Sequence, residues 1–566
     1  MHWLLSILAT VALMHLPKDK LEQPVLFGSR IVQVNQSYGK VFAPGQRNPR
    51  PQVMHFEPAD GSVLLLSPNP KVQPLQFRIL EETDSSYCLE LDAVFSTYPE
   101  QVSAIPPKML AGKAVEYQIL RTKEAERYFQ IDGRYRYSDG LEVTAACYFI
   151  WLEEEPFRFV TQDLPGYNKV EARGRKHGPA HRWRLWEGRV LDFYVDKAFP
   201  EAWYPYIKEG IEDWNQAFRA IGLGDVLAVH PEPEGLDTSS PLVNMVRYMD
   251  VEESNAKGDV LADPRSGEIL QGDILWWKNV VQLLQGWRYV QTGAADPSAR
   301  MEDYPLEMLG PMIRHAVCHE MGHVLGLNHN MGASWAYPAD SLRSVTFTRR
   351  YGTCASVMDY ARYNHLATAE DVKAGVNLLP PRLGPYDYYA IACGYAGQTP
   401  EPGPYCYYAP LISAAIPPDP SAQSETLGND LLRSSRAGVD NCRALLVLDG
   451  LTPERLRLLR KQYYRYIQLS LSNIGGAVQS VPVTRKLRRE TTRFVMEALA
   501  SVPEELSDSV QQQRILDELV GNFLPERLLE TVGRKELKDH YRQLKCLQRQ
   551  YPGLPLKDPS EWKLTN

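Results

Sequence analysis

His319-Glu320-Met321-Gly322-His323-Val324-Leu325-Gly326-Leu327-Asn328-His329 is the stretch on which the reading of this chain turns. It spells H-E-x-x-H-x-x-G-x-x-H, and each defined position has a physical task. Histidines four apart on a helix share one face, so His319 and His323 can aim ring nitrogens at one ion, at about 2.0–2.1 Å for zinc. Glu320 projects beside them and can take a proton from a water held there. Gly326, without a Cβ, lets the chain leave the helix in a left-handed conformation, so that His329 swings back with a third nitrogen. Three protein ligands leave a fourth position open to water, the mark of a catalytic rather than a structural zinc site.

Histidines placed for packing would be the plainer explanation. Against it, the chain has 12 His in 566 residues, yet His315, His319, His323 and His329 fall within 15 positions. A bare H-E-x-x-H is moderately specific; the glycine and third histidine at the right spacing make the pattern strong. His315 lies one turn before His319 on the same face. The rise of 1.5 Å per residue puts it roughly 12 Å from His323 along the axis, too far to share an ion, so it is read as a packing or supporting residue.

Outward from the motif, the upstream sequence is patterned as sheet and helix. Val190–Val195 reads as a strand; Ile207, Ile211, Trp214, Phe218 and Ile221 form one apolar helical stripe ended by Gly222; strands follow near 226–231, 242–249 and 269–276. Pro311 is expected to open the helix that carries the motif, where proline is tolerated. Residues 16–186 read mainly as strands, including Tyr87–Phe95 and Leu141–Ile150, with turn signals such as Ser138-Asp139-Gly140. Trp3–Met14 is an apolar run of signal-peptide length and equally suits a buried first strand. Residues 396–425 are proline-rich; beyond them Leu456, Leu458, Leu459, Tyr463, Tyr466 and Ile467 fit a long amphipathic helix, with more helix near 484–501, 508–531 and 534–548.

The chain is too long for one core. A net charge of −7 gives no basic field for nucleic acid, and no segment is apolar enough to cross a membrane. Eight cysteines lie scattered with no C-x-x-C pair, which suggests neither a disulfide scaffold nor a second zinc site; Cys318, beside His319, is expected to pack as a small hydrophobe.

Ser356-Val357-Met358-Asp359-Tyr360 follows His329 by 29 positions to its methionine. With the long motif, it resembles the Met-turn of metzincin zinc peptidases, in which a methionine lies beneath the metal. Gly326–Asn330 with Ala333-Ser334, Asp263–Leu270, Gly384–Tyr388 and Asp419–Glu425 narrow the resemblance to large bacterial zinc-dependent metalloproteases, well over residues 187–450 and loosely in the flanks. The resemblance implies an α+β chain whose metzincin-like catalytic domain has a twisted mixed sheet plus a zinc helix, with a β-rich N-terminal domain and a helical C-terminal region. The expected order is 1–15 a signal segment or first strand, 16–186 an accessory or prodomain-like domain, 187–395 the catalytic domain, 396–425 a connector and 426–566 helical. It implies a metalloendopeptidase acting on proteins or peptides: one zinc ion held by His319, His323 and His329, Glu320 as the base, and Gly326 and Met358 in structural support. Tyr360 stands where the tyrosine of astacins and serralysins approaches the metal; a plain core tyrosine is the alternative. The resemblance further implies a secreted, periplasmic or envelope location, in a chain that starts later than is usual for such proteins. A catalytically silent zinc-containing binding or adhesion module is the rival reading, and Glu320 argues against it.

Overall fold

The structure, a computed structural model, describes residues 12–523 apart from 36–43, 48–50, 99–101, 103, 106–114, 161–163, 173–174, 253, 380–382, 398, 411–418, 449 and 475–482, and residue 549 beyond them. Two compact units emerge. One comprises residues up to 204, with 225–280 and 323–326; the other comprises 205–224, 281–322 and 327 onward. The helix expected near 534–548, the run 1–11 and part of the proline-rich connector lie outside the described residues.

The first unit begins with strands β1 (Leu13–Pro17), β2 (Val25–Val34), β3 (Gln52–Ala59), β4 (Ser62–Leu66), β5 (Leu75–Glu82), β6 (Ser86–Glu90), β7 (Val115–Ala125), β8 (Tyr128–Tyr137) and β9 (Glu142–Trp151). They form one antiparallel sheet in the order β1-β6-β5-β4-β3-β2-β9-β8-β7. After Glu142 and Thr144, Ala145–Ile150 is continuously apolar because β9 is buried there on both faces. Val143, Ala145, Cys147 and Phe149 enter a large cluster with Phe56 and Phe77, while Tyr148 and Ile150 join a second with Leu26 and Leu261. Tyr87–Phe95 is not one strand: β6 ends at Glu90, and Asp92–Thr97 forms helix α1, with Val94 and Phe95 folded into the same core.

After the hairpin β10 (Lys169–Ala172) and β11 (Arg175–Ala180), a second sheet is built from β12 (Arg182–Trp183), β13 (Leu191–Val195), β14 (Leu227–Pro231), β15 (Asn244–Met249), β16 (Ala256–Ala262) and β17 (Glu268–Trp277). Its order is β12-β17-β15-β13-β14, all parallel, with β16 antiparallel on β17. Strand β16 was not legible, since Ala256-Lys257-Gly258-Asp259 carries no apolar alternation.

The second unit is helical: α2 (Tyr204–Glu212), α3 (Asn215–Ala220), α4 (Val280–Thr292), α5 (Leu306–Val324), α6 (Val345–Tyr351), α7 (Ala369–Ala374), α8 (Pro385–Tyr395), α9 (Leu431–Leu448), α10 (Pro453–Ser470), α11 (Arg485–Ala500) and α12 (Ser509–Phe523). The stripe from Ile207 to Ile221 breaks into α2 and α3. At the break Trp214 and Ala217 donate to carbonyls three residues back, a tightened turn that still buries Ile207, Ile211, Trp214 and Phe218. Pro311 does not open α5. The helix starts at Leu306, just after Pro305, and Pro311 sits inside it. Helices α9 to α12 share a hydrophobic cluster with Tyr289 and Val290 of α4. Among the described residues no helix is long and apolar enough to cross a membrane.

Candidate metal centre

Helix α5 carries His319, Glu320 and His323 and ends in a Schellman turn. The Leu327 N–H reaches the Gly322 carbonyl at 2.9 Å and the Gly326 N–H reaches the His323 carbonyl at 2.9 Å. Gly326 has φ of +95°, and a Cβ there would stand 2.0 Å from the His181 carbonyl oxygen, so both conformation and space require glycine. Asn168 N–H on the Gly326 carbonyl (2.7 Å) and Trp183 Nε1–H on the Val324 carbonyl (2.9 Å) secure the helix end. The chain then returns, and one ring nitrogen from each of His319, His323 and His329 lies within 4.8 Å of the others. His315 is absent from this group and lines a separate cavity.

The donor set fits zinc. Three neutral imidazoles without a thiolate are the ligands of many catalytic zinc sites. His319 is buried, and its Nδ1 faces the Val357 carbonyl at 2.6 Å. A proton on Nδ1 donated to that carbonyl leaves Nε2 as the ligating atom, the usual support for a metal-binding histidine.

Every residue of Ser356–Tyr360 is tied down. Ser356 Oγ–H and Val357 N–H both donate to the buried Asp387 carboxylate, at 2.6 and 2.8 Å. The Met358 carbonyl accepts from Asn330 N–H at 3.0 Å, the Asp359 carboxylate from Ser334 N–H at 2.7 Å, and the Tyr360 carbonyl from Glu425 N–H at 3.0 Å. The Met358 sulfur packs where Gly322 has no side chain: a Cβ at 322 would stand 2.2 Å from it. Burial pushes Asp387 up to about 6 against its donors, and Asp359 up to about 8.

Tyr360 stands over the histidines, its ring centroid 4.5 Å from that of His329 and 5.4 Å from that of His319. Burial, then the Glu320 carboxylate, raises its phenol above the ordinary value, against the nearby Arg362 guanidinium. Arg362 lies 4.7 Å from the Tyr360 ring centroid, stacks on Trp287 and pairs with Glu425 at 3.8 Å. Glu320 is half-buried on α5.

Sequence reasoning placed the three histidines, Glu320, Gly326, Met358 and Tyr360, all of which the fold brings to one locality. It missed Gly322, Val357, Arg362 and the role of Asp387. Two of these had a signal. A glycine inside a helix costs about 1 kcal/mol relative to alanine and so asks for a reason. Gly384-Pro385-Tyr386-Asp387 has the form of a helix start with proline first and an acid at its third position, and Asp387 indeed also accepts the Gly384 N–H at 2.8 Å.

No curated protein and no solved structure matches the chain. The family model DUF4953, described as Met-zincin, matches residues 301–550, from just before α5 through the Met358 turn and into the C-terminal helices. That match and the three-histidine cluster together support a metzincin, and with it a zinc metallopeptidase.

Proposed function

We propose that the chain is a zinc-dependent metalloendopeptidase that hydrolyses internal peptide bonds with Glu320 as general base. The observation that carries this reading is the convergence of imidazole nitrogens from His319 and His323 of α5, the helix that also bears Glu320, and from His329 beyond its end. Zinc held by His319, His323 and His329 would supply Lewis acidity toward the scissile carbonyl and toward water. Glu320 accepts the proton of the attacking water on a carboxylate oxygen and returns it to the amine nitrogen as the C–N bond breaks. Tyr360 donates its hydroxyl hydrogen to the oxyanion that forms on the carbonyl. Val357 and Asp387 act earlier than chemistry, by fixing the tautomer and orientation of His319.

The test is hydrolysis of a casein-type substrate, abolished by a chelator and restored by zinc. Glu320→Gln is expected to lose activity by at least about a hundredfold, the scale of a lost general base, while binding about one zinc per chain, because a base is not a ligand. Near-normal turnover by that variant would sink the mechanism. Zinc binding with no hydrolysis by the unaltered protein would favour a silent binding module.

A further inference from the structure

A cavity of about 690 Å³, within the range of ligand sites, flanks α5. Met312 and His315 of that helix line it, and His315 stands one turn before His319 on the same face. Tyr363, three residues beyond Tyr360, lines it too, as do Gly384 and Pro385, whose neighbour Tyr386 donates its N–H to the Ala355 carbonyl at the entry to the Met358 turn. The cavity therefore shares its walls with the elements that carry the candidate catalytic groups.

Its charge is one-sided. Arg314 is neutralised by Asp213, at 2.7 Å, and by Glu209. Arg349 and Arg350, at the end of α6, are exposed on the cavity wall, and among the described residues neither has a carboxylate partner. Nearby Arg343, by contrast, is held by Asp371 at 2.7 Å. Arginines in a last turn suit the helix dipole. That alone does not call for a cavity beside them, walled by tyrosines at 206, 351 and 388.

We infer that this cavity receives an acidic side chain of the polypeptide being cut, so that the enzyme selects bonds flanked by Asp or Glu. The inference rests on the peptidase reading and names its substrate class. A guanidinium presents paired N–H donors matched to a carboxylate; Arg350 lies 5.0 Å from the Tyr351 ring centroid, and neither it nor Arg349 meets a carboxylate among the described residues until substrate binds. The tyrosines offer apolar surface to the stem of the incoming side chain.

Quenched fluorescent peptides, identical except for Glu, Gln or Lys walked along both sides of the cleaved bond, read the preference directly. The zinc-loaded full chain is expected to cut the best Glu peptide with kcat/KM about tenfold above its Gln counterpart, as for a hydrogen bond to a charged group. The gap should narrow as salt rises. Arg349→Glu with Arg350→Glu should move the preference to Lys; both positions are exposed, and circular dichroism with zinc content checks the fold. The milder Arg350→Gln should lower the Glu advantage alone. Fluorescence anisotropy of the same peptides on the Glu320→Gln chain should give the same order without turnover. Equal cleavage of Glu, Gln and Lys peptides, or an unchanged order in the double variant, overturns the inference. If no peptide is cut at all, the peptidase reading falls, and the anisotropy order alone then decides whether the cavity selects acids.

Discussion

Tyr360 is the residue at which packing and chemistry make different demands on one side chain. Its ring lies against His329 and His319, and a phenylalanine would keep those contacts. In the proposed mechanism the hydroxyl alone serves the oxyanion, a charge that exists only once water has attacked. Tyr360→Phe is therefore expected to lower kcat with little change in KM and undiminished zinc content. Loss of one oxyanion donor costs on the order of 10²–10³ in rate, and less here in so far as the metal shares the charge. Steady-state kinetics with zinc quantified in the same sample decides the point, and unchanged kcat at full occupancy returns Tyr360 to the core. The three clustered histidines and Glu320 were legible because eleven consecutive residues fix their geometry. Val357 was not: its task is defined by His319, and no local pattern marks a contact made across more than thirty positions of chain.

The turn 356–360 has almost no regular structure of its own, so its shape is imposed by what receives its polar groups. Asp387, at the start of α8, takes Ser356 Oγ–H, Val357 N–H and Gly384 N–H on one buried carboxylate. Asp387→Asn keeps the size and turns one acceptor into a donor that must face an N–H. A buried group stranded in this way costs about 1–3 kcal/mol. The expected result is a melting temperature lowered by several degrees and a weaker hold on zinc, since the Val357 carbonyl orients His319. Differential scanning fluorimetry with and without zinc checks it; equal melting of variant and parent in both conditions would remove Asp387 from the account. Elements with a strong period were readable, as β9, β13 and α10 show. The break between α2 and α3 was not, because the apolar stripe continues through it, and Pro311 misled because a proline inside a helix resembles a proline that begins one.

Each unit is knit together by buried polar groups of its own. In the helical unit, His365 is buried, with Nε2 at 2.9 Å from Ser434 Oγ of α9 and its ring against Tyr466 of α10. Burial lowers it to about 4, with bonds from Ser434 and Tyr363 and the charge of Glu425 acting in the opposite direction. The folded state thus binds its proton less readily than the unfolded chain, whose histidine titrates near 6.5. The stabilisation is complete above pH 6.5 and is lost as pH falls toward 4, up to about 3 kcal/mol. His365→Gln should flatten the melting temperature over that window, and an unaltered acid limb would discount it. In the other unit, β2 of the first sheet meets the second sheet through charge. Arg30, 2% exposed, reaches Asp273 of β17 at 3.3 Å and the carbonyls of Ser239 and Ser240 at 2.6 and 3.0 Å. Arg247 pairs with the same aspartate at 3.0 Å, and Leu26 and Tyr148 share a hydrophobic cluster with Leu261 of β16. A prosegment meant for removal would leave Asp273 with an emptied neighbour and Leu261 bare. We therefore expect the N-terminal sheet to be a lasting part of the enzyme. Arg30→Met should destabilise the full chain by on the order of 3 kcal/mol, because buried acceptors lose their donor. A chain begun at Glu187, which lacks Arg30 and also the Trp183 bond to Val324 at the end of α5, should show neither a cooperative melt nor zinc uptake. A cooperative melt with one zinc bound in that shortened chain would mean that the first sheet is dispensable.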